Sequence, residues 1–593
     1  MKQFLLILIL SVLTLGVNAQ DDVNLAFNYF NSKEYSKAQD YFKKLYDQQK
    51  NFFYFDYYIR CLILQQEYKI ADKEIEKQTK KTPDNLKLLV LNIYNNIAWG
   101  KVEEAEQEFK SLMQKLPNNE LTIKDIANQL ISIGEFNKAE EVYKKGESFS
   151  AGKFLEELAR LYEIKRDNQA IIDAYLDLLI INSQKNDQIK AIFSRKLQED
   201  INEDFATLLE KKLISRIQKT RNIAYEDVLV WFYIEKNRFE DALLYGNALD
   251  KRFNSPSRVY NIGIKAFENK DYKLASKAFT IVKEYGEMSP YYYNTQAYLL
   301  QSYYNQIVEK QIIDTSEIKR IELEYIKYLE TKSNNFEIIS NYVTIEAFYL
   351  KKGDYAIDYI NKTLNKSITQ ENKAKLLKLK GDIELFQGKI WDAILSYANV
   401  ETNYVYFQVA DDAKFDKAKA YYFLHQFKWA KDQFDILKGS PSKLIANDAI
   451  YMSFFIDYNT SWDSNYSVLE LYADAEYKMF QKKHKEALVN IDTIFKKYST
   501  DAIVSYALFL KAQIFLEQEN FEQAIVFLEQ FKNTYATDPI ADKALYNLAF
   551  IYENKIKDKT KAAEVYKLIF MNYESSLYSS EAKKKYMELN NIQ

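Results

Sequence analysis

Residues 127–143 read ANQLISIGEFNKAEEVY, and their pattern is typical of a helix hairpin. Small, aromatic and leucine residues recur in this stretch at helical spacing, on either side of a short turn. The central alanine, Ala139, recurs toward the N-terminus in steps of 34, 34 and 33 residues, and these positions are Ala105, Ala71 and Ala38. Two helices of about 12–14 residues and two short turns have this combined length. The sequence therefore predicts an array of helix hairpins.

The same signature returns along the chain in about 11 recognisable units. Weaker helix pairs are predicted over 155–180, 186–220, 291–330 and 336–365. We expect the small residues where the two helices of a hairpin cross closely, with aromatic residues and leucines filling the gap to the next hairpin. The signature residues are Ala38, Ala71, Ala105, Gly134, Ala139, Gly263, Ala275, Gly381, Ala393, Ala430, Ala487, Ala524 and Ala562.

The pattern has a small residue and an aromatic on the first helix, and aromatic-xx-Ala-xxx-aromatic on the second. It resembles the tetratricopeptide repeat (TPR). The resemblance implies an all-α fold, a TPR-type α-solenoid of stacked antiparallel helix hairpins that forms a right-handed superhelix. Residues 415–458, with WAKDQFDILK followed by SKLIANDA, are also similar to a family of large exported TPR proteins of Gram-negative bacteria. That family has no established activity, so the resemblance implies a fold and a compartment.

Differences in repeat quality predict the organisation of the chain. We assign residues 1–19 to a signal peptide and 20–182 to an N-terminal TPR array. Residues 183–335 are predicted to form middle helical repeats that are degenerate TPRs, and 336–593 a C-terminal TPR array.

The first residues predict export. Lys2 precedes an apolar run from Phe4 to Leu15, and a cleavage site of small residues ends at Ala19. The run is too short to span a bilayer comfortably, and no later stretch is apolar enough to form a transmembrane span. Because no cysteine directly follows the run, we predict that the protein is not a lipoprotein. The periplasm is the favoured location, and an extracellular or peripheral outer-membrane location is the alternative.

The composition argues against catalysis. The 593 residues include 12 Gly, 6 Pro, one Cys and two His, whereas phosphate-binding loops and nucleophile elbows require glycine. We find no nucleotide-binding, hydrolase or metalloprotease motif, and so predict no enzymatic activity, no cofactor and no metal. His425 and His484 lie in different repeats, and Cys61 is predicted to be a buried thiol. The net charge of −3 gives no reason to expect nucleic acid as a partner.

Aromatic clusters are the most informative remaining feature. They occur at residues 51–58, which read NFFYFDYY, at 291–304 and at 404–407. Tyrosine is favoured at interfaces because it is large, stiff and polar at its tip. Three interpretations stay open: packing within and between repeats, a protein-binding groove, or stacking against sugars. The candidate partner-binding residues are Tyr57, Tyr291, Tyr292, Tyr298, Tyr303, Tyr404 and Tyr406.

Stacked hairpins form a long continuous groove that suits an extended segment or a helix of a partner. The sequence therefore predicts an exported, non-enzymatic scaffold or adaptor that binds protein partners of the cell envelope through its concave groove. The alternative is a glycan- or peptidoglycan-associated binding protein that uses the clustered tyrosines.

Overall fold

The computed structural model describes residues 22–310, 312–332, 334–460 and 466–590. Within these ranges the regular structure is helical, without a strand, which confirms the predicted all-α class. The predicted signal peptide and its cleavage site at Ala19 lie outside the described residues. None of the described helices combines the length and the apolar character needed to cross a bilayer.

The chain forms two compact units, unit 1 up to Lys265 and unit 2 from Ala266. The last helix assigned to unit 1, α15, continues for three residues into unit 2. The helices of unit 1 are α1 (22–31), α2 (Tyr35–Gln49), α3 (Phe52–Leu64), α4 (Tyr68–Lys81), α5 (Lys87–Ala98), α6 (Val102–Lys115), α7 (Glu120–Ser132), α8 (Phe136–Phe149), α9 (Leu155–Lys165), α10 (Asn168–Ile181), α11 (Asn186–Gln198), α12 (Asp204–Thr220), α13 (Ile223–Glu235), α14 (Phe239–Phe253) and α15 (Ser257–Glu268).

Unit 2 continues the same architecture, with one long helix, α25, inserted between two hairpins. Its helices are α16 (Tyr272–Lys283), α17 (Tyr292–Val308), α18 (Thr315–Thr331), α19 (Phe336–Thr344), α20 (Gly353–Leu364), α21 (Gln370–Phe386), α22 (Ile390–Asn403), α23 (Val409–Phe423), α24 (Phe427–Leu437), α25 (Lys443–Thr460), α26 (Ser467–Phe480), α27 (His484–Lys497), α28 (Ile503–Glu517), α29 (Phe521–Thr534), α30 (Ala541–Ile551), α31 (Lys559–Asn572) and α32 (Ser579–Leu589). Wide π-helical turns over Ile345–Tyr349 and Tyr552–Ile556 extend α19 and α30. The three-array division of the chain stays a prediction.

The turn inside most hairpins has a common geometry. One residue adopts a left-handed conformation, and in most hairpins it lies five positions before the buried alanine of the second helix. At Gly134, for example, its N–H donates to Ile131 O, and the N–H of the following Glu135 donates to Leu130 O, both at 3.0 Å. This is the Schellman pattern, which satisfies the last carbonyls of the first helix. The turn residues are Lys33, Gln66, Gly100, Gly134, Arg166, Asn237, Lys270, Lys310, Lys351, Gly388, His425, Lys482, Glu519 and Lys557.

Most of these turn residues are not glycine, which explains why a helix-hairpin chain of this length contains so little of it. The signature alanines lie inside the hairpins and are between 0 and 1% exposed. At Gly381 a Cβ methyl group would lie 2.6 Å from Cε1 of Tyr397, so the two helices approach too closely for any side chain. Gly134 differs, because it lies in an exposed turn rather than at a crossing.

Candidate functional site

A groove of about 610 Å³ lies within unit 2. Its walls come from the first helices of successive hairpins, namely α17, α19, α21, α23, α26 and α28. We call it the unit 2 groove. It is lined by Tyr304, Val308, Lys310, Thr344, Phe348, Tyr349, Phe386, Lys419, Glu476, Met479, Phe480, Lys482, Leu510, Gln513 and Glu517.

A row of three phenylalanines forms one wall of this groove. The ring centroids of Phe348 and Phe386 are 5.0 Å apart, and those of Phe386 and Phe480 are 6.0 Å apart, both pairs edge to face. Such geometry is favourable for aromatic rings. All three side chains are half-buried, so the row keeps an accessible apolar surface across three hairpins.

Lys419 and Glu476 lie among these apolar residues. Tyr422 Oη donates a hydrogen bond of 2.9 Å to Glu476 Oε2. Burial raises the pKa of the Glu476 carboxyl, against the opposing effects of Lys419 and of this hydrogen bond. The groove therefore combines an apolar wall with an ammonium and a carboxyl group.

One edge of the groove is held by a contact between distant parts of unit 2. Lys310 Nζ donates to the backbone oxygen of Glu517 at 2.6 Å. The Glu517 carboxylate in turn accepts from Lys482 Nζ, and one of its oxygens lies 2.9 Å from His484 Nε2. The end of α28 is thereby fixed to the turn after α17.

Unit 1 contains a second concavity of about 440 Å³, also between first helices, which we call the unit 1 cleft. An ion pair joins Arg60 Nε to Asp56 Oδ2 at 2.6 Å on α3. The Arg60 guanidinium continues to α7, where it donates to Ser132 Oγ at 2.7 Å and to Ser132 O at 3.2 Å. The lining residues are Asn51, Phe52, Phe53, Asp56, Tyr57, Arg60, Lys87, Asp125, Asn128, Gln129 and Ser132.

No protein-family model and no curated protein matches the sequence of this chain. Solved structures do match. A tetratricopeptide repeat protein from Parabacteroides merdae is 12% identical over 49% of this chain and 97% of its own, with a TM-score of 0.27. Yeast Tom70 is 14% identical over 92% of this chain and 98% of its own, with a TM-score of 0.25. At these TM-scores the likeness supports no further inference.

The decisive observation is the recurring hairpin itself, with its left-handed turn residue and a buried alanine five positions later. The fold is a tetratricopeptide-repeat α-solenoid. In this solenoid the two concavities are made by first helices, as expected for a TPR groove, and second helices contribute the buried alanines. Membership of the exported Gram-negative family stays a prediction.

The predicted tyrosines are distributed over the solenoid and do not form one site. Tyr57 lines the unit 1 cleft and stacks on Phe42, with centroids 5.0 Å apart. Tyr292 lines a separate cavity of about 320 Å³ in unit 2, beside Tyr293. None of the seven is among the described residues that line the unit 2 groove.

The other candidate tyrosines range from rings packed against other side chains to a ring that is almost fully exposed to solvent. Tyr298 stacks on Phe279 at 5.5 Å, and the Arg320 guanidinium lies 5.6 Å from the ring of Tyr303. Tyr291 and Tyr404 are half-buried, whereas Tyr406 is 96% exposed. Their role in partner binding stays a prediction.

The two histidines each lie beside a carboxylate, and the one cysteine is buried. His425 Nε2 lies 3.0 Å from Asp474 Oδ1, and His484 is paired with Glu517. Cys61 is buried, and burial raises the pKa of its thiol to about 12. Across the described part of the chain, no group of three or more metal-binding side chains comes together.

The residues that shape both concavities carry little signal in the linear sequence. Arg60 and Ser132 are 72 residues apart, about two repeat periods, and the three phenylalanines of the groove lie in three hairpins. Arg60 lies 11 residues before Ala71, whereas Ser132 lies seven before Ala139, so aligning the repeats does not pair the two residues.

Proposed function

We propose that this protein is an exported, non-enzymatic scaffold that binds a protein partner of the cell envelope in the unit 2 groove. The observation that carries the proposal is the accessible row of Phe348, Phe386 and Phe480 across three hairpins. An apolar surface of this kind favours an apolar face of a partner helix or extended segment. Lys419 and Glu476 would set the orientation of that segment through charge.

Export rests on the apolar run from Phe4 to Leu15 and the cleavage site at Ala19. Its test is the mass of the protein recovered from the envelope fraction of its source bacterium. Processing after Ala19 is the expected result, and an unprocessed chain in the cytoplasmic fraction contradicts the proposed compartment.

Partner binding is tested by site-specific photocrosslinking. A benzoylphenylalanine at Gln513, which lines the groove, should capture a defined partner in cells, and mass spectrometry identifies it. The same probe at Lys561, on the second helix α31, serves as the control position.

A matched pair of substitutions separates groove binding from general effects on the fold. Val308 is 45% exposed in the groove, and Val489 is 64% exposed on the second helix α27. Val308→Asp should abolish the crosslink, because burying a new carboxylate against an apolar partner is costly. Val489→Asp should leave it unchanged. Equal crosslinking in both variants, or equal capture by both probe positions, would contradict the proposal.

A further inference from the structure

The unit 1 cleft has a chemistry that protein scaffolding does not explain. Its floor contains Gln129, which is only 9% exposed. The Gln129 amide nitrogen donates to Asp56 Oδ1 at 2.8 Å and to the backbone oxygen of Lys87 at 3.3 Å. Because both partners are acceptors, these bonds fix which end of the amide carries oxygen.

The amide oxygen of Gln129 is left without a donor among the described residues, although it is buried and its side chain lines the cleft. A buried acceptor without a donor costs about 1–3 kcal/mol. A ligand that brings a hydrogen-bond donor into the cleft would recover that free energy.

The rim supplies groups of both hydrogen-bonding types. Asn128 is exposed, and its Oδ1 accepts from Tyr143 Oη at 3.0 Å, which leaves its amide nitrogen to donate outward. The exposed Asp125 carboxylate accepts from Lys87 Nζ at 2.9 Å and has capacity for further donors. The ligand must therefore both donate and accept over a short distance.

Three aromatic residues also line the cleft, namely Phe52, Phe53 and Tyr57. Phe53 lies at its edge and is 48% exposed. The negative face of such a ring attracts polarised C–H groups. The charges cancel, because the cations Arg60 and Lys87 are paired with Asp56 and Asp125.

From these features we propose that the unit 1 cleft binds a neutral saccharide. The hydroxyl groups of a sugar donate and accept on adjacent carbons, which suits Gln129 Oε1 beside Asn128 and Asp125. The C–H face of the pyranose ring packs on Phe53, and the balance of charges disfavours an anionic ligand. The volume of the cleft falls within the usual range for small-molecule sites.

A peptide is the competing ligand, and the wall composition argues against it. Eight of the eleven lining residues are polar or charged, so an apolar side chain finds no pocket apart from the region of Phe52, Phe53 and Tyr57. This site lies in unit 1 and is independent of the proposed function of the unit 2 groove.

The test uses cellobiose, maltose and chitobiose with the full-length protein, and a capped tetra-alanine peptide as the competing class. Saturation-transfer difference NMR detects contact, and isothermal titration calorimetry gives the Kd. We expect saturable binding of at least one disaccharide and none of the peptide. If no disaccharide binds, or if the peptide binds and displaces the sugar, the proposal is overturned.

Two substitutions place the binding in the cleft. Phe53→Ala should weaken disaccharide binding about tenfold by removing the stacking surface. Phe253→Ala is its matched control, because Phe253 is also 48% exposed in unit 1 but lies outside the cleft. Equal affinities in the two variants overturn the proposal.

Gln129→Met keeps the shape of the side chain and removes the orphan acceptor, and it should weaken binding about five- to tenfold. The melting temperature of each variant is measured alongside. If Gln129→Met fails to fold, the Phe53 and Phe253 pair still decides the question, because both rings are half exposed.

Discussion

The unit 1 cleft and the unit 2 groove are built by the same structural elements and differ in the balance of polar and apolar side chains on their walls. In both, the first helices of successive hairpins supply the lining, and buried alanines on the second helices set the spacing. Eight of the eleven cleft residues are polar or charged, whereas the groove has a continuous row of three phenylalanines along one wall. The comparison teaches that the repeat signature fixes how hairpins pack, and leaves the first-helix surface free to acquire a ligand.

The largest expected effect is on the rate of labelling of Cys61, which tests whether helix α3 is held rigidly beside the cleft. Cys61 lies on α3, one residue after Arg60, and burial raises the pKa of its thiol to about 12. Thiolate is the reactive form, so labelling by a disulfide reagent at pH 8 should be slower than for a free thiol by at least about a thousandfold. The control is the same protein in concentrated urea, where labelling should be fast. Rapid labelling of the native protein would show that the cleft opens readily.

A second prediction separates the two units by overpacking one of them. Gly381→Leu in α21 forces a side chain against Tyr397, whose ring is pinned because its hydroxyl donates to Asp382 Oδ1 at 2.9 Å. We expect a loss of about 3 kcal/mol in the free energy of unfolding of unit 2. Hydrogen exchange locates the loss, and Cys61 labelling should show unit 1 unchanged.

The control for this substitution is Lys375→Leu, at an exposed position of the same helix. It should change the stability of unit 2 by less than about 0.5 kcal/mol. Similar losses in both variants would mean that the close crossing at Gly381 is unimportant.

A third prediction concerns the pH dependence of the stability of unit 2, through a buried carboxyl group behind the wall of the groove. Glu346 is fully buried in the π-helical turn that carries Phe348, and it lies 3.2 Å from Lys352 Nζ, a cation that it shares with Glu322. Burial, then the proximity of Glu322, raise the pKa of Glu346 from 4.5 to about 7. Because the folded state retains this proton longer than the unfolded state, the stability of unit 2 should fall as the pH rises from about 4.5 to about 7.

Glu346→Gln should remove this contribution to the pH dependence and leave the protein more stable than wild type by about 3 kcal/mol at pH 8, with little difference at pH 4.5. Urea unfolding at the two pH values measures it. Glu337→Gln, an exposed change on α19, provides the comparison and should keep the wild-type profile. A profile that is unaltered in Glu346→Gln contradicts the assignment.

The smallest effect should be common to both units, because they share the left-handed turn. Lys33 and Lys351 have φ values of 62° and 58°. Lys33→Gly and Lys351→Gly should each stabilise their own unit by about 0.5–1 kcal/mol, since glycine adopts this conformation without a steric cost. Gly134→Ala should do the reverse. Thermal unfolding measures all three, and a destabilised Lys351→Gly would show that the lysine makes a compensating contact.

The hairpins are predictable from the sequence because the buried alanine of the second helix recurs at nearly constant spacing along the chain. The weak pairs over 155–180 and 336–365 are also helix pairs, α9 with α10 and α19 with α20. One extra residue near Tyr552 is accommodated by the π-helical turn, which has the wider spacing needed. These features are local, and local patterns are visible in a linear sequence.

The candidate sites are not predictable in the same way. Tyr57 stands out because it lies in an aromatic cluster, but Gln129 and Arg60 carry no local signature. Their significance depends on contacts made two repeats away, and on a hydrogen-bonding group that is left without a partner. Similarly, the wall of the unit 2 groove needs three helices to be brought together before its phenylalanines form a surface.

The contact between Lys310 and Glu517 also has a consequence for folding kinetics. It joins residues separated by 207 positions, whereas the hairpins of the solenoid form from neighbouring segments. Contacts of large sequence separation form late, because the chain entropy lost in closing the loop must first be offset by local structure. We expect the hairpins of unit 2 to assemble first and the rim of its groove to close last, so that a newly made chain becomes helical before its groove is complete.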